Sequence, residues 1–236
     1  MKHRIAIILA RGGSKRLPRK NVLLLGGQPM LAWSVRAALD SGCFERVLVS
    51  TDDEEIAKAG RQAGAEVPFL RDSASDDQAP STEATRVALG QAETHWGERY
   101  DTVAQMMANC PLRNAADIRE AMTAFDAGVA RSQISAFRFG WMNPWWAARL
   151  QADGQPQWLF PEARTSRSQD LPPLYCPSGA LWLAARDAFL EEGSFYLPGH
   201  TLHSMDWISA MDIDDEADLA MAEACLAMRL QAKHSL

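Results

Sequence analysis

Cysteine is scarce in this chain, and the four present, Cys43, Cys110, Cys176 and Cys225, lie far apart. None forms a C-x-x-C pair and no histidines stand near them at zinc-finger spacing, so neither a disulfide framework nor a structural zinc is expected. They read as small buried hydrophobes of a reducing compartment. Long apolar runs are missing too. No stretch approaches the roughly 20 residues of a transmembrane helix, and the apolar run at 5–10 is too short for a signal peptide and leads into a cationic loop. A cytoplasmic location without membrane contact is the expectation. Nor is there an excess of positive charge: the formal net charge is -6, which gives no general reason to bind nucleic acid or an anionic surface. Any anion site has to be local. Internal repeats, low-complexity tracts and evident linkers are also lacking, so the 236 residues read as a single domain, 1–236, large enough for its own core.

What is present is an alternation of apolar runs with amphipathic stretches, the pattern of β-α-β units around a mostly parallel sheet. The spacing predicts strands at 5–9, 47–49, 67–70 and 103–108. Helices are predicted over 29–39, 56–63, 81–94 and up to 127, then from Ala185 to a stop at Gly193, and finally over 216–233. Thr51, Asp52 and Asp53 offer caps for the second helix and Asn114 for the fourth. The regularity breaks at about 137–177, where Trp141, Trp145, Trp146 and Trp158 fall among Pro144, Pro156, Pro161, Pro172 and Pro173. That composition suits neither regular sheet nor long helix. It is either a loop packed on its own small core or an arm at a subunit interface, where tryptophan is enriched.

The most informative segment follows the first strand: Ala10-Arg11-Gly12-Gly13-Ser14-Lys15-Arg16-Leu17-Pro18-Arg19-Lys20-Asn21. Five cations are concentrated there in an acidic chain, beside two glycines that allow backbone to approach a ligand closely. In open α/β sheets the carboxyl ends of strands face the ligand crevice, so this loop is placed to hold phosphates with its cations and N–H groups. The segment is neither G-x-x-x-x-G-K-[ST] nor G-x-G-x-x-G, which argues against a P-loop NTPase and a nicotinamide dehydrogenase. A solvated basic turn is the competing reading.

The second constellation is Met211-Asp212-Ile213-Asp214-Asp215-Glu216. In extended backbone, Asp212 and Asp214 point to one face, and paired carboxylates together with substrate phosphates suit Mg²⁺. Asp215 and Glu216 are better read as the cap and first-turn charge of the last helix. Alternating aspartates also occur in metal-dependent glycosyltransferases that use nucleotide sugars.

At this point the residues resemble a known family. Residues 10–21 match the A-R-G-G-S-K-x-[IL]-P-x-K-N signature of the CMP-sialic acid synthetases, the acylneuraminate cytidylyltransferases, including relatives that activate pseudaminic or legionaminic acid. Ser50-Thr51-Asp52-Asp53-Glu54-Glu55-Ile56-Ala57, Gly64-Ala65-Glu66-Val67, Arg167-Ser168-Gln169-Asp170-Leu171 and Asp212-Ile213-Asp214 are similar to that family in the same order. The resemblance implies an α/β, Rossmann-like nucleotidyltransferase fold with a small dimerisation arm. It implies transfer of CMP from CTP, with Mg²⁺, to the anomeric hydroxyl of an acidic nine-carbon sugar, and a homodimer whose arm helps build the partner's sugar pocket. Carried over by motif, Ala10, Arg11, Gly12, Gly13, Ser14, Lys20, Asn21 and Arg71 would bind the nucleotide, Arg71 reading the cytosine edge. Arg11, Lys20 and Asp214 would be catalytic, and Asp212 and Asp214 the metal ligands. Met107, Asn109, Gln169 and Tyr175 would lie on the sugar side. A surface salt bridge is the plain alternative for Arg71, and simple packing for Tyr175.

Three departures concern the sugar. Met107-Ala108-Asn109-Cys110-Pro111 stands where many members read Q-x-[ST]-S-P, Arg167-Ser168 replaces a basic pair, and Ser178-Gly179 replaces Asn-Gly. The nucleotide motifs are intact, so the sugar's identity is left open. The eight-carbon Kdo is the alternative acceptor, although that family's first loop resembles A-R-x-x-S-T-R-L-P-x-K. A non-catalytic nucleotide-binding relative is the alternative from another class.

Overall fold

The structure, a computed structural model, describes residues 2–74 and 79–234. Along the chain run β1 (Arg4–Leu9), a small ladder of β2 (Leu24–Leu25) and β3 (Gln28–Pro29), α1 (Met30–Ser41), β4 (Arg46–Ser50) and α2 (Glu54–Gln62). Then come α3 (Ser81–Trp96), β5 (Thr102–Met107), α4 (Ala115–Ala127) and β6 (Ser132–Arg138). After an excursion holding the hairpin of β7 (Ala148–Leu150) and β8 (Pro156–Trp158), the chain returns as β9 (Tyr175–Ala185), α5 (Arg186–Glu192), β10 (Thr201–Ser204) and α6 (Glu216–His234).

Six strands form one sheet in the order β10-β6-β9-β5-β1-β4, parallel except for β9, which runs antiparallel to both its neighbours. This is the expected α/β class. From Ile5 onward β1 is apolar because both faces of the sheet are covered. Ala6 and Ile8 pack with Leu31 and Val35 of α1 and Ile118 and Met122 of α4. Ile5, Ile7 and Leu9 point the other way, against Ala88, Leu89 and Ala92 of α3. From β1 the chain steps outward to β4, then crosses back over β1 to β5 on its other side. The connections therefore diverge at the carboxyl ends of β1 and β5, opening a crevice there.

Helix ends follow from local chemistry. Asp53 accepts from the Glu55 and Ile56 N–H groups at 2.9 and 3.0 Å, capping α2. Asn114 and Asp117 form a reciprocal capping box at the start of α4. Gly193 ends α5 with φ of 63°, a left-handed conformation that glycine adopts without strain.

The expected strand at 67–70 does not form. The one parallel bridge here, between Leu48 and Glu66, comes just before it, and Pro68 lacks the N–H that a continuing ladder requires. Residues 139–174, by contrast, carry a short hairpin and a small core of their own. Trp145 Nε1 donates to the Pro172 carbonyl at 2.8 Å, and its ring meets Phe160 edge-on. Trp141 and Leu150 nonetheless remain 86% and 78% exposed. Cys110 and Cys225 are buried, whereas Cys43 and Cys176 are only half-buried, and all four are free thiols. Among the described residues no helix is long and apolar enough to cross a membrane.

Two substitutions separate cap from core. Asn114→Ala, which removes the capping box, is expected to cost about 1 kcal/mol. Ile7→Ala, a truncation at a fully buried sheet position, is expected to cost about 2–5 kcal/mol. Urea midpoints at constant m-value measure both, and equal losses would contradict this account of what holds the fold.

Candidate active site

The crevice at the ends of β1 and β5 encloses about 280 Å³. One wall comes from the loop after β1, through Arg11, Ser14, Lys20 and Asn21. Ala10 continues the strand by donating to the Ser50 carbonyl at 3.1 Å, which aims the following residues outward. The loop is closed from within: buried Asn21 donates from Nδ2 to the Arg11 carbonyl at 2.9 Å. In this conformation Asn21 shapes the loop while bordering the crevice.

The two glycines differ in what they do. The Gly12 N–H donates to Asp52 Oδ1 at 2.9 Å, and a Cβ on Gly12 would lie 3.0 Å from the Asp53 side chain. A side chain at position 12 would thus crowd Asp53, and the Gly12 N–H already has a partner. The Ser14 N–H likewise donates to the Gly12 carbonyl at 3.1 Å. Only Gly13 faces open space. Two of the loop's N–H groups are thus engaged within the protein, beside the side-chain cations of the same loop.

Arg19 has a role the sequence did not signal. Its backbone is left-handed, with φ of 59°, uncommon for a residue with a Cβ. The guanidinium holds it there by binding Asp53 at 2.7 and 3.3 Å and also Glu55. That contact keeps the Asp53 carboxyl below its ordinary range. Asp53 therefore caps α2, anchors Arg19 and turns the chain so that Lys20 faces the crevice.

The opposite wall carries Asp212 and Asp214. Asn109, at the end of β5, staples them in place. Its backbone carbonyl accepts from the Ile213 N–H at 2.9 Å. Its Nδ2 donates to the Ile213 carbonyl at 3.1 Å, to Asp212 Oδ1, and at longer range to Asp214 Oδ1. The shared amide shows both carboxylates on one side, as the alternating spacing suggested. Lys20 Nζ donates to Asp214 Oδ1 at 2.8 Å, and Arg16 binds Asp214 Oδ2. Asp215 turns away, accepting from the Ala217 and Asp218 N–H groups at 2.9 and 3.0 Å as the cap of α6.

The electrostatics divide the pair. Desolvation of the carboxylate by surrounding protein, then the charge of Asp214, raises Asp212 to about 6, even though the residue as a whole borders solvent. At Asp214 desolvation is outweighed by Lys20 and Arg16, which hold it below its usual value. Two like charges with one insufficiently neutralised favour a cation. Among the described residues no group of three or more His, Cys, Asp and Glu forms a complete metal cage. The donor set, two carboxylates open to further oxygen ligands, fits Mg²⁺, which usually keeps waters and takes phosphate oxygens.

Arg71 is no surface salt bridge. It is 5% exposed, and its Nη1 donates to the Ser50 carbonyl and Oγ, each at 3.0 Å. Burial lowers its pKa. Its Nε lacks a partner. Beside it stands Ser81, which the sequence reading did not single out. Buried Gln105 of β5 donates to Ser81 Oγ at 3.2 Å and accepts from Thr85 Oγ1 at 2.7 Å, fixing the start of α3 in the wall.

On the remaining side Met107 borders the crevice, half-buried against Gly179, where a Cβ would stand 2.7 Å from Met107 Cγ. Gln169 and Tyr175 are not in the walls of this crevice. Gln169 lies exposed in the short helical turn Ser168–Asp170, and Tyr175 starts β9 opposite Arg138, 43% exposed.

Known proteins share this arrangement of chain and fold. The family model described as Cytidylyltransferase matches residues 5–134, more than half of the chain. A pseudaminic acid cytidylyltransferase of Campylobacter jejuni is 35% identical over 221 residues, covering 93% of this chain and 94% of that protein. The CMP-N,N'-diacetyllegionaminic acid synthase of Legionella pneumophila is 32% identical over 235 residues, covering 97% and 98%. An N-acylneuraminate cytidylyltransferase of Streptococcus agalactiae is 31% identical over 91% of this chain, which matches 51% of that longer protein. In fold, a CMP:2-keto-3-deoxy-manno-octonic acid synthetase complexed with CTP superposes with a TM-score of 0.68 at 15% identity, covering 96% of this chain and 99% of that one. From the matched model and these near full-length likenesses, the chain belongs to the cytidylyltransferase family.

Proposed function

We propose that this enzyme transfers CMP from CTP to the anomeric hydroxyl of a nonulosonic, sialic-acid-like 2-keto sugar acid and releases pyrophosphate. The observation that carries the reading is the opposition, across one crevice, of Asp212 and Asp214 to a wall of Arg11 and Lys20. A triphosphate and a divalent cation together satisfy both sides. Neither alone does. The named relatives act on pseudaminic, legionaminic and neuraminic acids, which supports a nine-carbon acidic sugar as the acceptor.

In the reaction the sugar hydroxyl oxygen forms a bond to the α-phosphorus while the bridging oxygen to the β-phosphorus departs with its electron pair on pyrophosphate. Arg11 and Lys20 bind the phosphates and stabilise charge on the leaving group. Ser81 and Arg71 line the same crevice, and Arg71 reads the base. Asp212 and Asp214 would hold Mg²⁺, which would supply neutralisation of phosphate oxygens and acidification of the attacking hydroxyl. Alignment of hydroxyl and phosphorus supplies the rest of the acceleration. Met107 and Asn109 border the sugar's approach.

The same reading assigns the excursion 139–174 to a homodimer. Exposed Trp141, Met142 and Leu150 are costly to leave in water and are suited to bury against a second copy. Gln169 and Tyr175 would then meet the sugar in the partner's crevice. A cytoplasmic setting, where CTP is available and four free thiols persist, completes the proposal.

CTP is expected to support pyrophosphate release far better than ATP, GTP or UTP, and only with a nonulosonic acid present; sugar-independent release, or comparable activity with UTP, would sink the assignment. Asp212→Asn and Asp214→Asn are each expected to lower turnover by about 100-fold or more at limiting Mg²⁺, with modest change in thermal midpoint. Asp215→Ala is expected to do the reverse, losing about 1 kcal/mol of stability at unchanged rate. Light scattering is expected to give a dimer at micromolar concentration, and a monomer there would remove the arm from the sugar site.

A further inference from the structure

The loop cations have a second task visible in the ligand-free arrangement. A hard cation at Asp214 needs one of its carboxylate oxygens, yet both are engaged, Oδ1 by Lys20 and Oδ2 by Arg16. The two partners differ. The Lys20 side chain is 14% exposed, between Asp214 and the loop, while that of Arg16 is 68% exposed and reaches Asp214 from the outside. An exposed ion pair of that kind is weakly held and easily exchanged.

An exchange partner has room nearby. Arg16 lines an adjoining cavity of about 350 Å³ together with Arg11, Ser14, Lys15 and Lys20, and four of that cavity's residues, Arg11, Ser14, Lys20 and Asp214, also line the main crevice. The tail of a triphosphate lying against Arg11 and Lys20 leads into this space. Guanidinium binds carboxylate and phosphate through the same planar fork, so one side-chain swing moves Arg16 from Asp214 to a phosphate and frees Asp214 Oδ2 while Oδ1 keeps Lys20. Arg16 also fills a variable position of the loop signature, so the device belongs to this chain and not to the motif.

We propose that Arg16 is a charge placeholder, which neutralises Asp214 while the crevice is empty and transfers to the nucleotide phosphates on binding, thereby releasing a metal ligand only when nucleotide is present. The proposal rests on the reading of the crevice as a CTP site. By linkage, nucleotide and divalent cation then favour each other's binding beyond their direct contact.

The test measures binding, not turnover. Mn²⁺, visible by electron paramagnetic resonance, is titrated into nucleotide-free wild type, Arg16→Ala, Arg16→Lys and Lys15→Ala, and CTP is titrated calorimetrically into the same proteins in EDTA. Arg16→Ala is expected to bind Mn²⁺ without nucleotide about fivefold tighter or more, and to bind CTP in EDTA more weakly by a similar factor. Arg16→Lys retains the charge and is expected to stay near wild type. Lys15→Ala takes the same charge from the same cavity wall and is expected to change Mn²⁺ affinity less than about twofold. Unchanged Mn²⁺ affinity in Arg16→Ala, or an equal gain in Lys15→Ala, overturns the placeholder role. Failure of the wild type to bind CTP overturns the nucleotide reading, a separate outcome from either. Thermal melts of all four proteins, with Arg16→Gln as a second neutral variant, exclude misfolding as the source of a change.

Discussion

Two carboxylates held side by side at the end of a parallel sheet are the constraint around which this molecule is arranged. Charges of one sign cannot approach in a protein environment unless others compensate them. Here the compensation is divided: Lys20 and Arg16 neutralise Asp214, Asn109 offers its amide to both, and Asp212 is left with its pKa raised. The remaining imbalance is what makes the crevice receptive to a cation. The opposite excess, on Arg11 and its neighbours, makes it receptive to phosphate. Neither half is stable to rearrangement by itself, and the ligand-free molecule settles the difference internally with ion pairs.

That settlement depends on a second layer of contacts away from the crevice. Asp53 caps α2, crowds the space a side chain at position 12 would need and clamps Arg19 in a left-handed turn. One carboxylate thus serves helix, loop and cation together. On the other side, Gln105 of β5 reaches Ser81 and Thr85 at the start of α3, tying strand to helix behind the base end of the crevice. Both supports originate at the carboxyl ends of strands, where the chain reverses its direction of travel across the sheet. The fold supplies the opening, and these side chains give it a definite shape.

How far this was legible in the sequence depends on the range of the interactions involved. β1, β4, β5, the helices and the caps at Asp53 and Asn114 were readable because apolar period and capping chemistry are local. The strand expected at 67–70 failed on Pro68, a single missing donor within an otherwise apolar run. The antiparallel insertion of β9 between β5 and β6 and the edge position of β10 were not readable, since pairing across the sheet leaves little mark on either strand alone. At the site, the cationic loop and the alternating aspartates announced themselves by composition and spacing. Asn109 as the staple, Arg19 as the anchor and Ser81 in the wall did not, because each acts through residues distant in sequence. The close approach of Gly12 to Asp53, 41 residues on, was hidden for the same reason.

The two halves of the crevice also differ in how much of them one chain provides. The nucleotide half is assembled within a single chain, down to the hydrogen bond that closes its loop at Asn21. On the proposed reading the sugar half is not: Gln169 and Tyr175 stand outside the walls of the crevice, and Met107 presents a thioether beside Gly179. An apolar group at that point cannot pair with a sugar hydroxyl, and burying a hydroxyl without a partner carries a penalty. On that reading the strand ends place the nucleotide side of the site, while a few side chains beyond them decide the sugar side.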